Sequence, residues 1–198
     1  AQSKGMCGKI PANYWMHGEF LLINGGKMSK SLGNVYLLQD IVDRGYDPLV
    51  YKLFCYSIQY RKKLNFTWEG MDSAKIALDR LREAYQKHLT GTEDVAEELI
   101  SKYEKDFNEA INDDLNMPVA MSVVWEVAKR TEKSKKVAEL LKKFDRVLGI
   151  KIDEHKEEEI PDDIKELLTK RVEARKNKDW AESDKIRDII KEKGYIVK

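Results

Sequence analysis

The sequence predicts a mainly α protein, a helical bundle with a short β-bearing segment ahead of it and a small helical region behind it. Three observations lead there. From about residue 69 to about 150, apolar residues recur at three- and four-residue steps, the period of one helix face. Ahead of them, residues 12–24, ANYWMHGEFLLIN, are dense in aromatic and aliphatic side chains, as short strands are. The chain has 198 residues, 42% of them hydrophobic, enough to bury a core in one sizeable domain or two small ones.

Taken in order, residues 12–24 read as one or two strands turning at His17–Gly18, with Tyr14 and Trp15 as core side chains. A Gly-flanked loop follows. VYLLQDIVDRG reads as a helix stopped by Gly45, and Pro48 opens a second, largely buried helix, PLVYKLFCYSIQY. An amphipathic helix then carries Ala74, Ala77, Leu78, Leu81 and Tyr85 up to Gly91. Thr92 is the expected cap of the next, which bears Val95, Leu99, Tyr103, Phe107 and Ile111. Asp113 and Asp114 close that helix, and Asn116, with Pro118 just inside, caps a third. A fourth runs from Val137 to Leu148 and stops at Gly149. Residues 151–160, KIDEHKEEEI, read as a charged linker. Pro161 then leads into a helix through Val172, and Asp179 caps a last one ending at Gly194. His88 and His155 are expected on the surface.

With 36 Lys+Arg against 35 Asp+Glu the net charge is +1, but the charges come in blocks. Residues 92–116 hold nine acids and two lysines, 129–151 nine bases and three acids, and 170–178 five bases and one acid. Such blocks read as solvated helix faces or as a track for a polyanion. The two cysteines, Cys7 and Cys55, form no CxxC pair or Cys/His cluster, so this span offers no zinc site of its own. No apolar run approaches the ~20 residues of a membrane helix, and a soluble, cytoplasmic setting without membrane contact is expected.

GGKMSKSLGN, residues 25–34, places Lys27 and Lys30 in one loop with Ser29 and Ser31 beside them. A lysine binds phosphate as a compact point charge, and two on one loop can hold a triphosphate while charge builds on its oxygens. KMSKS behind strands and ahead of LGN resembles the second signature of class I aminoacyl-tRNA synthetases. ANYWMH, the stretch from DPLVYKLFCYSIQYRKKLNFTWEG onward, FNEAINDDLNMPVAM and RVEARKNKDWAESDKIRD together resemble the cysteinyl-tRNA synthetase family, in order and over essentially the whole chain.

That resemblance implies a division into residues 1–35 as the edge of a Rossmann-like catalytic domain, 36–68 as a helical junction touching the tRNA stem, 69–150 as a helical bundle, and 151–198 as linker and anticodon-binding helices. It implies Lys27 and Lys30 as catalytic phosphate contacts, with Met28, Ser29 and Ser31 shaping the ATP loop. His17 is either a nucleotide contact or a plain turn residue. Arg175 and Asp184 fall at anticodon-contact positions; Trp180 either stacks on a base or packs between the last two helices. The implied substrates are cysteine, ATP with Mg and tRNA(Cys), on a monomer. The family's zinc ligands and its His-Ile-Gly-His-type signature are not in this span, which is therefore expected to be a C-terminal part, inactive by itself. Two other readings stay open, a cysteine:amino-sugar ligase of mycothiol synthesis and a non-catalytic helical RNA-binding module.

Overall fold

The protein is described here by a computed structural model covering residues 2–154, 162–177 and 179–193. It forms two compact units, residues 1–155 and 156–198.

The first unit opens with helix α1 (Gln2–Cys7), which buries nothing and which the sequence pattern does not predict. A three-stranded sheet follows, made of β1 (Leu21–Ile23), β2 (Gly26–Lys27) and β3 (Leu64–Phe66) in the order β2-β1-β3. Asn24 and Gly25 join β1 to antiparallel β2 with φ of 49° and 78°, the two left-handed residues that a tight hairpin turn requires. On its other side β1 pairs in parallel with β3, Leu22 opposite Asn65, and the Asn65 side chain accepts the Gly25 N–H at 2.7 Å.

Residues 12–20 form no strand. Tyr14 is 91% exposed and Trp15 64%, which corrects the expectation that both are core. A strand needs a ladder partner and a covering layer, and among the described residues the one backbone bond that ties this stretch to a distant residue is Glu19 N–H to the Tyr60 carbonyl at 2.9 Å.

The helices are α2 (Leu38–Asp43), α3 (Pro48–Cys55), α4 (Trp68–Leu89), α5 (Glu97–Asn112), α6 (Met117–Ala128) and α7 (Lys135–Leu148). α3 starts as its sequence suggests, with Asp47 accepting the Leu49 N–H ahead of Pro48, but it ends at Cys55 rather than running on to Tyr60. α4 begins where the Thr67 hydroxyl accepts the Gly70 N–H at 3.0 Å. Its buried stripe of Met71, Ala74, Leu78, Leu81, Tyr85 and His88 follows the helical period. One apolar core continues from Ile23 in β1 through α3 to α7 as far as Ile152, with Phe107 of α5 stacked on Phe144 of α7 at 4.1 Å between ring centroids.

Three local expectations give way to tertiary contacts. Thr92 caps no helix; it pairs with Ser134 in an antiparallel bridge, Glu93 N–H reaches the Lys133 carbonyl at 2.9 Å, and α5 starts only at Glu97. Gly91 is needed there, because a Cβ would lie 2.1 Å from the Lys133 carbonyl oxygen. Asn116 makes no capping bond to α6; its amide donates to Asp113 Oδ2 instead. His88 is fully buried, not on the surface. Its Nε2 lies 3.2 Å from the Ala128 carbonyl and its Nδ1 accepts the Ser134 N–H at 3.4 Å, so the ring sits neutral with its proton on Nε2. Burial lowers its pKa.

The second unit pairs α8 (Asp162–Lys176) with α9 (Trp180–Glu192), burying Ile164, Ala174, Ile186 and Ile190. Asp179 caps α9 by accepting the Glu182 N–H at 3.1 Å, as its place in the sequence predicts. His155, Pro161, most of the charged linker, Lys178 and Gly194 lie outside the described residues. Among the described residues no helix is long and apolar enough to cross a membrane.

Candidate functional site

The lysine loop leaves β2 at Lys27 and re-enters regular structure as a single 3-10 turn, Lys30–Leu32, closed by Gly33 at φ 63°. Two anchors hold it. The Asn34 carboxamide spans the loop, donating from Nδ2 to the Lys27 carbonyl at 3.0 Å and accepting the Ser29 N–H on Oδ1 at 2.8 Å. The Met28 side chain is half-buried against the core and lines an apolar cleft together with Leu21, Ile23, Tyr36, Ile41, Tyr51 and Phe66. Ser29 and Ser31 bind one another, hydroxyl to hydroxyl, at 2.8 Å.

With the backbone held on both sides, Lys27 and Lys30 are exposed. Among the described residues neither makes an ion pair or a hydrogen bond through its ammonium group. Two unpaired cations on a backbone that is already ordered suit an anion with several oxygens. No hydrogen bond joins His17 to this loop; it lies exposed in the segment ahead of Glu19.

In the second unit Arg175 stands exposed in the last turn of α8, and Trp180 opens α9 at 61% exposure. Asp184 is exposed and holds Arg187 at 2.9 Å one turn along α9. Any other donor must compete with that pair, which as an exposed contact contributes little to stability.

Two polar centres escaped the sequence reading. Arg82, 6% exposed, donates to the Lys151 and Ile150 carbonyls and meets Asp47 and Glu154 at 3.6 and 3.4 Å. It thereby joins the start of α3 to the chain beyond α7. Asp114 accepts from Arg61 Nε at 2.7 Å and Nη2 at 3.2 Å, from the Tyr60 hydroxyl at 2.7 Å and from Gln59 at 3.2 Å. The Arg61 bond, then the Tyr60 bond, hold its carboxyl below the ordinary range. No local signal marks either centre, since their partners lie from 35 to 72 residues away in the chain. Asn34 could have been singled out, because an Asn just after a Gly-flanked loop is a common side-chain clasp for backbone groups.

Residues 1–76 match the family of tRNA synthetases class I (C) catalytic domain, 106–153 the DALR domain, and 157–198 the cysteinyl-tRNA ligase anticodon binding domain. Among curated relatives, cysteine–tRNA ligase 1 of Burkholderia lata is 38% identical over 200 residues, covering all of this chain and 42% of that protein. The cysteine–tRNA ligase of Bacillus cereus is 39% identical over 218 residues, again across the whole chain and 46% of the relative. That of Protochlamydia amoebophila is 35% identical over 212 residues and 44% of its length. The chain thus spans less than half the length of the curated relatives it matches. Three family matches in sequence, with relatives aligned from end to end of the chain, place it in the cysteinyl-tRNA synthetase family, where it corresponds to the C-terminal portion of the members.

Proposed function

We propose that this chain is the C-terminal part of a cysteine–tRNA ligase, which joins cysteine to ATP as cysteinyl-adenylate and then transfers it to tRNA(Cys). In that reaction the cysteine carboxylate attacks the α-phosphorus, pyrophosphate leaves, and negative charge grows on the phosphate oxygens. Lys27 and Lys30 stand where they can take up that charge, with Mg entering as part of the ATP substrate. Ser29, Ser31 and Met28 keep the loop in shape, and His17 contacts the nucleotide from the neighbouring segment. Among the described residues no cluster of three or more His, Cys, Asp or Glu fits a metal ion, and no step assigned to this chain runs through zinc.

The second unit reads the anticodon, Arg175 by forked hydrogen bonds, Trp180 by stacking on an unpaired base, and Asp184 as an acceptor once it releases Arg187. The match of residues 157–198 to the cysteinyl anticodon domain supports this assignment. A cysteine:amino-sugar ligase has no use for such an end, and a free-standing RNA-binding module has none for the catalytic-domain match over residues 1–76. The divisions near residues 35, 68 and 150 are kept as a functional partition of catalytic edge, stem-contact junction and bundle, acting in a cytoplasmic monomer.

The observation that carries the reading is the loop whose backbone is clasped by Asn34 while Lys27 and Lys30 stay unpaired. In the full-length ligase, Lys30→Ala is expected to slow adenylate formation about a hundred- to thousandfold, the effect of removing one donor from developing charge, with cysteine affinity little changed. Single-turnover kinetics measure it, and normal activation in that variant rules the role out.

A further inference from the structure

The stretch carrying His17 has neither a strand partner nor a helix to order it. Its tie to the rest of the unit runs through Tyr60 in two steps. The Tyr60 carbonyl accepts the Glu19 N–H at 2.9 Å, and Gly18 lies close enough that a Cβ would come within 3.8 Å of the same oxygen. From its other end Tyr60 donates its hydroxyl to Asp114 Oδ1 at 2.7 Å. Arg61, the next residue, forks onto the same carboxylate, and Gln59, the residue before, reaches both the side chain and the backbone carbonyl of Asp114 at 3.2 Å.

The far anchor is itself unusual. Asp114 and Leu115 both have φ of 53°, a left-handed pair without glycine in the turn between α5 and α6. Asp tolerates that region and Leu does so poorly, so the turn persists because its surroundings hold it. Leu115 N–H to the Ile111 carbonyl at 3.1 Å and Asn116 N–H to the Ala110 carbonyl at 3.0 Å keep it closed, and the result aims the Asp114 carboxylate at residues 59–61. Arg61 and Asp114 side chains are 65% and 46% exposed, so this cluster adds little to overall stability. A forked guanidinium with a hydroxyl on the same carboxylate does fix geometry.

We propose that Asp114 is a positioning residue for the nucleotide side of the site. Through Tyr60 it holds the His17–Glu19 segment to the helical bundle, so the α5–α6 turn sets where that segment meets ATP. The nucleotide half of this proposal rests on the ligase reading above.

The test begins on the chain itself, by amide hydrogen exchange followed by NMR. Asp114→Gly accepts the left-handed backbone while deleting the carboxylate, Tyr60→Phe removes only the hydroxyl, and Asp114→Asn keeps the shape without the charge. Glu19 exchange is expected to rise about tenfold in Asp114→Gly, the size of one lost net hydrogen bond, and less in the other two. The Asn24 amide, bonded to the Phe66 carbonyl across the sheet, should not change. If the Leu115 and Asn116 amides speed up while Glu19 stays protected, Asp114 serves only its own turn and the proposal is overturned. In the full-length ligase the same variants should raise the KM for ATP severalfold in pyrophosphate exchange and leave tRNA(Cys) affinity unchanged. A faster Glu19 amide with an unaltered KM for ATP overturns the nucleotide role. Absence of cysteine-dependent exchange in the unsubstituted ligase would instead sink the ligase reading, and the amide result on the chain would stand apart from it.

Discussion

The lysine loop and the α8–α9 hairpin expose their candidate residues in opposite ways. In the loop, polar and apolar anchors are spent on the backbone, Asn34 on two main-chain groups and Met28 in its cleft, and the two cations are left unpaired. In the hairpin the scaffold is two ordinary helices with a buried seam of isoleucines, and the candidates stand on outer surfaces, with Asp184 already holding Arg187. A group that must stabilise charge developing during a reaction gains from being in place beforehand. A group that grips a flexible polymer can rearrange as it binds, exchanging an exposed ion pair for a contact at little cost.

The comparison predicts that loosening the scaffold harms the loop more than the hairpin. Asn34→Ala should slow adenylate formation in the full-length ligase about ten- to a hundredfold, because both ends of the loop lose their clasp while Lys27 and Lys30 remain. Asn34→Asp, which keeps an acceptor for Ser29 N–H but loses the donor to Lys27, should recover part of that rate. Rates equal to the unsubstituted enzyme in single-turnover assays would show that the loop needs no fixed backbone.

In the hairpin, Arg175→Ala should weaken binding of this chain to tRNA(Cys) by about 1–3 kcal/mol and weaken binding to an anticodon-swapped tRNA less, since a lost base contact erodes discrimination. Lys170→Ala should weaken both tRNAs alike and reduce the slope of log affinity against log salt by about one unit. Titrations at several salt concentrations separate the two, and equal losses for both tRNAs in Arg175→Ala would reduce the hairpin to a backbone grip.

The smallest expected effect lies in neither region. His88 is buried neutral, and burial lowers its folded pKa below the ordinary 6.5. The unfolded chain therefore takes up a proton at higher pH than the folded one. The stability this group contributes is fully present above about pH 6.5 and is lost progressively as pH falls below it. Thermal melts of the chain across that range should show a falling Tm that His88→Gln flattens; an unaltered pH dependence in that variant would mean the ring carries no such term.

What was legible followed from local rules. The faces of α4, α5 and α7 and the stop at Gly149, at φ 58°, depend on residues three or four apart and on one backbone angle. The same holds for the Asp179 cap, whose carboxylate lies within three residues of the amide it satisfies. β3 carries no sequence signal because three residues between helices have no period of their own, and α5 starts only at Glu97 because Thr92 pairs with Ser134, forty-odd residues away, instead of capping a helix.

The sequence by itself determined the helical bundle, the presence of a two-lysine loop and a basic helix end with a tryptophan beside it, since each is written in neighbouring residues. Tertiary structure decided that Tyr14 and Trp15 lie open, that His88 is interior and neutral, that Asn34 frees the lysines, and that Asp114 answers to Tyr60 and Arg61. Those outcomes depend on which surface or polar atom arrives from elsewhere in the chain, and burial and hydrogen-bond satisfaction are settled only when it does.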